Sequence, residues 1–567
     1  MTVAAIPTPA RASAIRLSRD EWIMRLGVAL LVAWLVLAIA LPLWALLSKS
    51  FQDAQGQFIG LANYIRYFST PTLYGSIINS VGVAIVTTVI VIPLAFTYAY
   101  ALTRSRMPFK GLFYAAALLP LFAPSLLSAI SLIYLFGNQG LLKGLLFGGS
   151  IYGAPGIVVA QVFYCFPHAL IIAVTALSLA DARLYEVAEA LGTAKSRVFR
   201  TVTLPGAKFG LINAAFVVFT LVVTDFGIAK VIGGQFNVLA TDAYKQVVGQ
   251  QNFQMGAVVG MVLLVPAVLA FAIDRIVQRR QIALLSARAV PYEPKSARAR
   301  DAALLVYCLV VAAVLIAVLG TSIWASFISY WPYNLTLTLR NYDFENFDPG
   351  GWSPYFTSLK MALATAVFGT TIVFAGAYLV EKTKVLALGR ALAHLLAMLP
   401  MAVPGLVLGL GYVFFVNAKG NPLGFLYATL AVLVINSIAH FYTVAHVTAL
   451  TALKQIDPEY ESVSASLKVP FWRTFGRVTV PICLPAIIDI AIYLFVNALT
   501  TVSAVIFLYG PSSKLAAVAI VHMDEMGASA AAAGMASVIV ATALAAKLLH
   551  LLLDRVIFMR LQMWRKR

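Results

Sequence analysis

Twelve apolar runs, each long enough to cross a bilayer as a helix, constrain this 567-residue chain more than any other feature. They fall near 26–48, 76–103, 112–136, 152–177, 207–230 and 255–277, then near 303–327, 357–380, 391–415, 424–450, 482–508 and 530–553. About 20 apolar residues span the hydrocarbon core as a helix. The runs are continuous rather than alternating, which excludes a transmembrane barrel, and a spanning helix satisfies its own backbone hydrogen bonds. With 61% hydrophobic and 11% charged residues, a soluble multidomain enzyme and a disordered chain are both excluded. The reading is an all-α polytopic membrane protein of about 12 transmembrane helices.

Charge placement orients the helices. There are 41 Lys and Arg against 22 Asp and Glu, a formal net charge of +19. With both termini in the cytoplasm, 32 of the 41 basic residues fall on the cytoplasmic side, as the positive-inside rule requires. The excess charge therefore reflects topology and attraction to anionic lipid, not nucleic acid. A basic start (Arg11, Arg16, Arg19, Arg25) leads into a first run too long for a signal-peptide core, so it reads as an uncleaved span. Cys165, Cys308 and Cys483 are far apart within apolar runs and read as fillers, with no disulfide or metal spacing. No metal site is read from the six scattered histidines; His440 and His446, six apart, do not share a helix face.

The chain repeats itself. At a shift of 280, Arg104 falls on Lys384, Lys110 on Arg390, Pro120 on Pro400 and Pro124 on Pro404. At a shift of 276, Thr175-Ala176-Leu177 falls on Thr451-Ala452-Leu453, Phe199 on Phe475 and Pro205 on Pro481. Residues 1–278 and 303–567 thus read as two pseudo-symmetric six-helix halves joined by a polar, basic linker over 279–302. A parallel repeat implies a pseudo-two-fold axis along the membrane normal. Paired prolines inside a span remove donors and kink it.

One loop in each half is longer and patterned, 181–205 and 457–481. In the first, Leu184, Val187, Ala188 and Leu191 give a short helix an apolar face. Gly192 suits the left-handed position past its end. Thr193 or Ser196 is positioned to cap a second short helix carrying Val198, Phe199 and Val202, which Pro205 ends. Two short helices at right angles make a rigid knob able to pass a push to the spans.

Glu186, Val187, Ala188, Leu191, Gly192, Phe199, Leu204 and Pro205 together resemble the EAA loop of ATP-binding-cassette importer permeases. The resemblance covers essentially the whole chain and implies a type I importer (MetI-like) permease fold in a bacterial inner membrane. It also implies that the loop is a coupling helix docking into a cytosolic ATPase, that an external substrate-binding protein delivers the cargo, and that transport proceeds by alternating access. The second copy departs from the pattern: Ser462 replaces the glutamate, Val463 and Ser464 the small pair and Lys468 the glycine, while Leu467, Phe475 and Pro481 are kept. Glu461, one residue early, is a candidate substitute, and Pro470 is placed to start the second short helix. The sequence has no Gly-Lys dipeptide and hence no P-loop. The chain is therefore expected to bind no cofactor or metal and to perform no catalysis. ATP and Mg would serve a separate ATPase, two copies for two knobs.

The length resembles fused ferric-iron and 2-aminoethylphosphonate importers. Thr224-Asp225-Phe226-Gly227 looks like the family's polar break in the fifth span. Thr500, Thr501, Ser503 and the Tyr509-Gly510-Pro511 turn look most like the phosphonate subgroup, which makes phosphonate uptake the first expectation and ferric iron the alternative. Hydroxyls in a span either line a pathway or bond their own helix carbonyls. Asp225 is open between a pathway role and an outer-end position paired with Lys230. Asp489 reads as a structural hydrogen-bonding residue. Outer loops 49–75 and 329–356, the second bearing Tyr330, Trp331, Tyr333, Tyr342 and Trp352, fit either a docking surface or interfacial anchors. An ion-coupled secondary transporter would need more intramembrane carboxylates than Asp225; a membrane-embedded enzyme would need a polar cluster that is not seen.

Overall fold

The computed structural model describes residues 18–284, 290, 292–457 and 459–561. Arg11 and Arg16 of the basic start, part of the linker including Arg288, and the basic end of the chain lie outside the described residues. Among the described residues nine helices are long and apolar enough to cross a membrane: Arg19–Ser50, Pro71–Arg104, Ala154–Ser178, Lys195–Thr224, Phe253–Ile273, Arg298–Ser326, Ser353–Lys382, Leu430–Lys454 and Ser529–Arg555. Three more candidates are sharply bent pairs, giving up to twelve spans. The protein is an all-α polytopic membrane protein; among the described residues the only paired strands are a short antiparallel hairpin, Ile328–Tyr330 with Asn334–Leu337.

The bent pairs correct the expectation of continuous spans at 112–136, 391–415 and 482–508. Lys110–Phe122 meets Ser125–Phe136 at 101°, and Ala387–Ala402 meets Gly405–Val416 at 115°. The cause is the LPxxxP spacing. Pro120 and Pro400 open single 3₁₀ turns, and Pro124 and Pro404 cap the next helix. The residue before each capping proline, Ala123 or Val403, is forced into an extended conformation and turns the chain. The third pair, Phe471–Ile482 and Leu484–Thr500, bends by 77° around Cys483, between Pro481 and Pro485.

Each half lends its first helix to the other. Arg19–Leu35 packs on Ser353–Lys382 and Ala387–Met398, with Trp34 5.5 Å from the Tyr442 ring and the Tyr412 hydroxyl donating to the Ala38 carbonyl at 2.6 Å. Reciprocally, Arg298–Ser326 packs on N-terminal helices: Tyr307 donates to the Leu94 carbonyl at 2.8 Å, and Ser322 and Ser131 share a hydrogen bond of 2.6 Å. One buried core therefore runs through both halves. Close approach of Lys195–Thr224 to Ala154–Ser178 depends on Gly210, where a Cβ would sit 2.3 Å from that of Ala176.

Candidate functional site

The two knobs lie at the same end of their helices and are built alike. Asp181 starts the first, its carboxylate accepting from the Arg183 amide at 3.1 Å; Asp457 does the same for the second through the Glu459 amide at 2.9 Å. These carboxylates answer amide donors that a helix start leaves free. The short helices run over Ala182–Ala190 and Glu459–Ser466. Each ends in a Schellman turn, Thr193 N to Ala188 O and Gly192 N to Glu189 O in one, Val469 N to Ser464 O and Lys468 N to Ala465 O in the other. Both C′ residues are left-handed, Gly192 at φ +63° and Lys468 at φ +54°. A side chain there costs roughly 1 kcal/mol, so the lysine keeps the turn at the expense of backbone strain.

Beyond the turn the structure corrects two expectations. Ala194, not Thr193 or Ser196, is the N-cap of the next helix, and it makes no side-chain bond. Nor does Pro205 end that helix. A π segment over Phe199–Thr203 carries the chain into Leu204–Thr224, so that Lys195–Thr224 is continuous. Such a segment shifts the hydrogen-bond ladder and accommodates a residue without a donor. The second copy has the same π segment, Phe475–Thr479, and then bends. Leu204, Pro205 and Pro481 are exposed on these helices.

Phe199 and Phe475 seat the knobs. Phe199 packs 6.1 Å from Phe96 and 5.9 Å from Tyr100; Phe475 packs 5.9 Å from Phe374 and 4.8 Å from Tyr378. Ala188 is buried, whereas Glu186 and Ser462 face outward. Glu461 turns inward to within 3.5 Å of the Lys382 amine, so it does not take Glu186's outward place. The first knob has Tyr185 at that position, under the Arg104 guanidinium at 5.1 Å. Three apolar positions of each knob are exposed beside these polar ones. Leu184, Val187 and Leu191 are 58%, 58% and 76% exposed, and their counterparts 276 residues on, Tyr460, Val463 and Leu467, are 49%, 56% and 71% exposed.

The residues expected along a pathway end matched helices. Thr224 and Thr500 are the last residues of Leu204–Thr224 and Leu484–Thr500, and each hydroxyl bonds its own helix four residues back, to Thr220 O and Val496 O at 2.9 Å. Thr501 follows in extended conformation, and Ser503 lies beside Gly405 and His440. Asp225 is not paired with Lys230: its carboxylate accepts from the Ile228 amide at 2.9 Å and from Gln161 at 3.1 Å, while Lys230 reaches Glu525 at 2.5 Å. The Gly510 turn is fixed through Ser513, which bonds the Ala428 carbonyl at 2.8 Å.

Sequence reasoning missed two clusters that join distant helices. His394 and His446 meet at 3.4 Å. Asp489 and Asp554 lie 3.0 and 3.2 Å from the His550 Nε2, with the Lys547 amine 2.8 Å from Nδ1. That arrangement brings Asp489 of Leu484–Thr500 against His550 and Asp554 of Ser529–Leu561. On the opposite end from the knobs, Trp331 is anchored by Gln139 and Tyr134, at 3.1 and 5.0 Å, and Tyr342 and Trp352 join Phe344; Tyr330 and Tyr333 stay exposed.

The helices thus form a membrane bundle in two similar halves, each presenting a knob with exposed apolar residues at one end. The chain belongs to the binding-protein-dependent transport system inner membrane component family, whose profile matches twice, over residues 91–283 and 384–558. It is similar to the putative ferric transport system permease protein FbpB 1 of Haemophilus influenzae, 27% identical over 75% of this chain and 69% of that protein. It is similar also to the ferric transport system permease protein FbpB of Actinobacillus pleuropneumoniae, 26% identical over 96% of this chain and 80% of that one. The spermidine/putrescine permease PotB of Haemophilus influenzae matches 42% of the chain at 24% identity.

Proposed function

We propose that this chain is the fused permease of an ATP-driven importer of ferric iron. A cytosolic ATPase docks on each knob, and a substrate-binding protein docks at the opposite end. The observation that carries the coupling mechanism is the matched pair of exposed apolar triads, Leu184, Val187, Leu191 and Tyr460, Val463, Leu467. Apolar side chains so uncovered on a polar knob mark a contact surface. The knob end is then cytoplasmic, as are both termini, in keeping with the basic residues counted there.

Each knob transmits force by a different element. In the first, the second short helix continues without a break through the span as Lys195–Thr224, so displacement passed from Leu191 through the Gly192 turn acts on a rigid rod. The second meets its inner helix at a 77° elbow, and Lys382 and Glu461 brace its base. Closure of two nucleotide-loaded ATPases would draw the knobs together and open the far side; hydrolysis would reverse it.

Iron is preferred over 2-aminoethylphosphonate because two relatives matching both halves are named ferric permeases. The residues that suggested phosphonate have structural partners: Thr500 bonds its own helix, and the Gly510 turn is packed on Ala428. Asp225 caps a helix and thereby loses its value as support for ion coupling. The test is uptake into proteoliposomes containing the chain, its ATPase and its binding protein. ATP-dependent accumulation of labelled ferric iron is expected. Accumulation of 2-aminoethylphosphonate alone would overturn the cargo, and uptake without the ATPase would overturn the mechanism.

A further inference from the structure

The end of the linker is laid across the first knob. Val290 pairs with its start: the Val290 carbonyl accepts from the Ala182 amide at 2.9 Å, and the Val290 amide donates to Asp181 at 3.3 Å. Tyr292 packs against Tyr185 with ring centres 4.5 Å apart and the planes tilted by 48°, and the Arg104 guanidinium lies over both rings, 4.4 Å from Tyr292 and 5.1 Å from Tyr185. The same guanidinium donates to the Leu177 carbonyl at 2.7 Å. Arg106 donates to the Pro294 carbonyl at 2.7 Å, and the Lys295 amine reaches both Glu189 oxygens at 2.6 and 2.5 Å. Helix Arg298–Ser326 then begins, and Arg300 reaches back to the Lys295 carbonyl at 2.6 Å.

Two features give this arrangement direction. The strap engages Asp181, Tyr185 and Glu189 and leaves Leu184, Val187 and Leu191 uncovered, so it does not compete with a partner for the apolar face. The segment it leads into belongs to the other half. At the second knob, too, the start of the other half's first helix makes contact: the Phe471 amide donates to Asp20 at 3.1 Å. Among the described residues, each knob is thus tied to the start of the other half's first helix.

We propose that Val290 and residues 292–297 form a permanent tie that fixes the first knob's orientation and passes its displacement directly to Arg298–Ser326 of the other half. Tyr292 and Lys295 are its positioning residues. The guanidinium over the faces of both rings is attracted by their electron density and holds them together. The exposed Lys295–Glu189 pair adds direction more than strength. Hydrogen bonding to Glu189 raises the Lys295 pKa above its ordinary value, so the lysine is charged at neutral pH and loses its charge only as pH climbs through that raised value. The tie is therefore mechanical and not a pH switch.

This inference rests on the docking reading for its effect on transport, but its geometry is testable on the chain alone. The variant Glu189→Cys/Lys295→Cys is treated in nanodiscs, without ATPase, with a short bifunctional methanethiosulfonate; the three native cysteines are buried. Near-complete intramolecular linkage is expected, and the linked protein is expected to transport within about twofold of its reduced form. Tyr292→Ala is expected to lower solute moved per ATP several-fold with ATPase affinity unchanged. Failure to link, loss of transport on linking, or an unchanged ratio in Tyr292→Ala each overturns the tie. Linkage in a chain whose first knob does not bind the ATPase would support the tie's geometry and overturn the docking reading.

Discussion

Replacing Leu184, Val187 and Leu191 together by alanine should weaken ATPase binding about a hundredfold. The three side chains are 58%, 58% and 76% exposed, so between half and three quarters of each remains to be covered by a partner. Full burial of a Val or Leu side chain contributes about 1.5–3 kcal/mol. Scaling by the uncovered fraction and keeping the alanine methyl leaves roughly 1 kcal/mol each, or about 3 kcal/mol for the three. At 1.4 kcal/mol per decade this is about two orders of magnitude in Kd. Binding of the purified ATPase to nanodisc-embedded permease measures it, and the thermal unfolding midpoint of the permease alone serves as control. That midpoint should hardly move, because the removed atoms touch little within the chain. Affinity within threefold of the starting protein, with both knobs otherwise intact, refutes the assignment of this face.

At the matched left-handed positions, opposite signs are expected: Gly192→Ala should destabilise by about 1 kcal/mol and Lys468→Gly should stabilise by about 0.5 kcal/mol, read as shifts in thermal midpoint. Nothing lies within 4 Å of a Cβ at Gly192, so the backbone alone sets that cost. Lys382→Met should cost about 2 kcal/mol, since it leaves Glu461, 22% exposed, without its cation; adding Glu461→Gln should recover most of it, and denaturant unfolding distinguishes the two. Asp225→Ala should lose about 1 kcal/mol with its cap, while Asp225→Asn, which keeps an acceptor, should retain both fold and transport. Normal stability with abolished transport in Asp225→Asn would restore a pathway role.

Much of this was legible in the residues because it is local. The helix periodicity of Leu184, Val187 and Leu191 and the left-handed Gly192 lie within one short window, Phe199 and Phe475 recur because such a window is repeated 276 residues on, and each appears in the structure where the pattern puts it. Paired prolines announced a kink but not its size; the 101° and 115° turns follow from the extended Ala123 and Val403, whose conformation is set by the next residue. Pro205 misled because a π segment absorbs it, and no composition signal marks such a segment. Contacts between remote segments had no local signature. His394 with His446, Asp489 with His550, and Tyr292 over Arg104 are each set by packing across more than fifty residues of chain.

The exchange of first helices bears on biosynthesis. Arg19–Leu35 leaves the ribosome early, yet the surface it packs on begins at Ser353, roughly 320 residues later. At about 5–20 residues per second, that segment waits some 15–60 s among lipids before its partner exists. An N-terminal half synthesised alone would therefore expose two unpaired surfaces, one on its orphan helix and one where Arg298–Ser326 should lie. Membrane proteases should remove such a fragment, and co-expression of the missing half as a second polypeptide should rescue it.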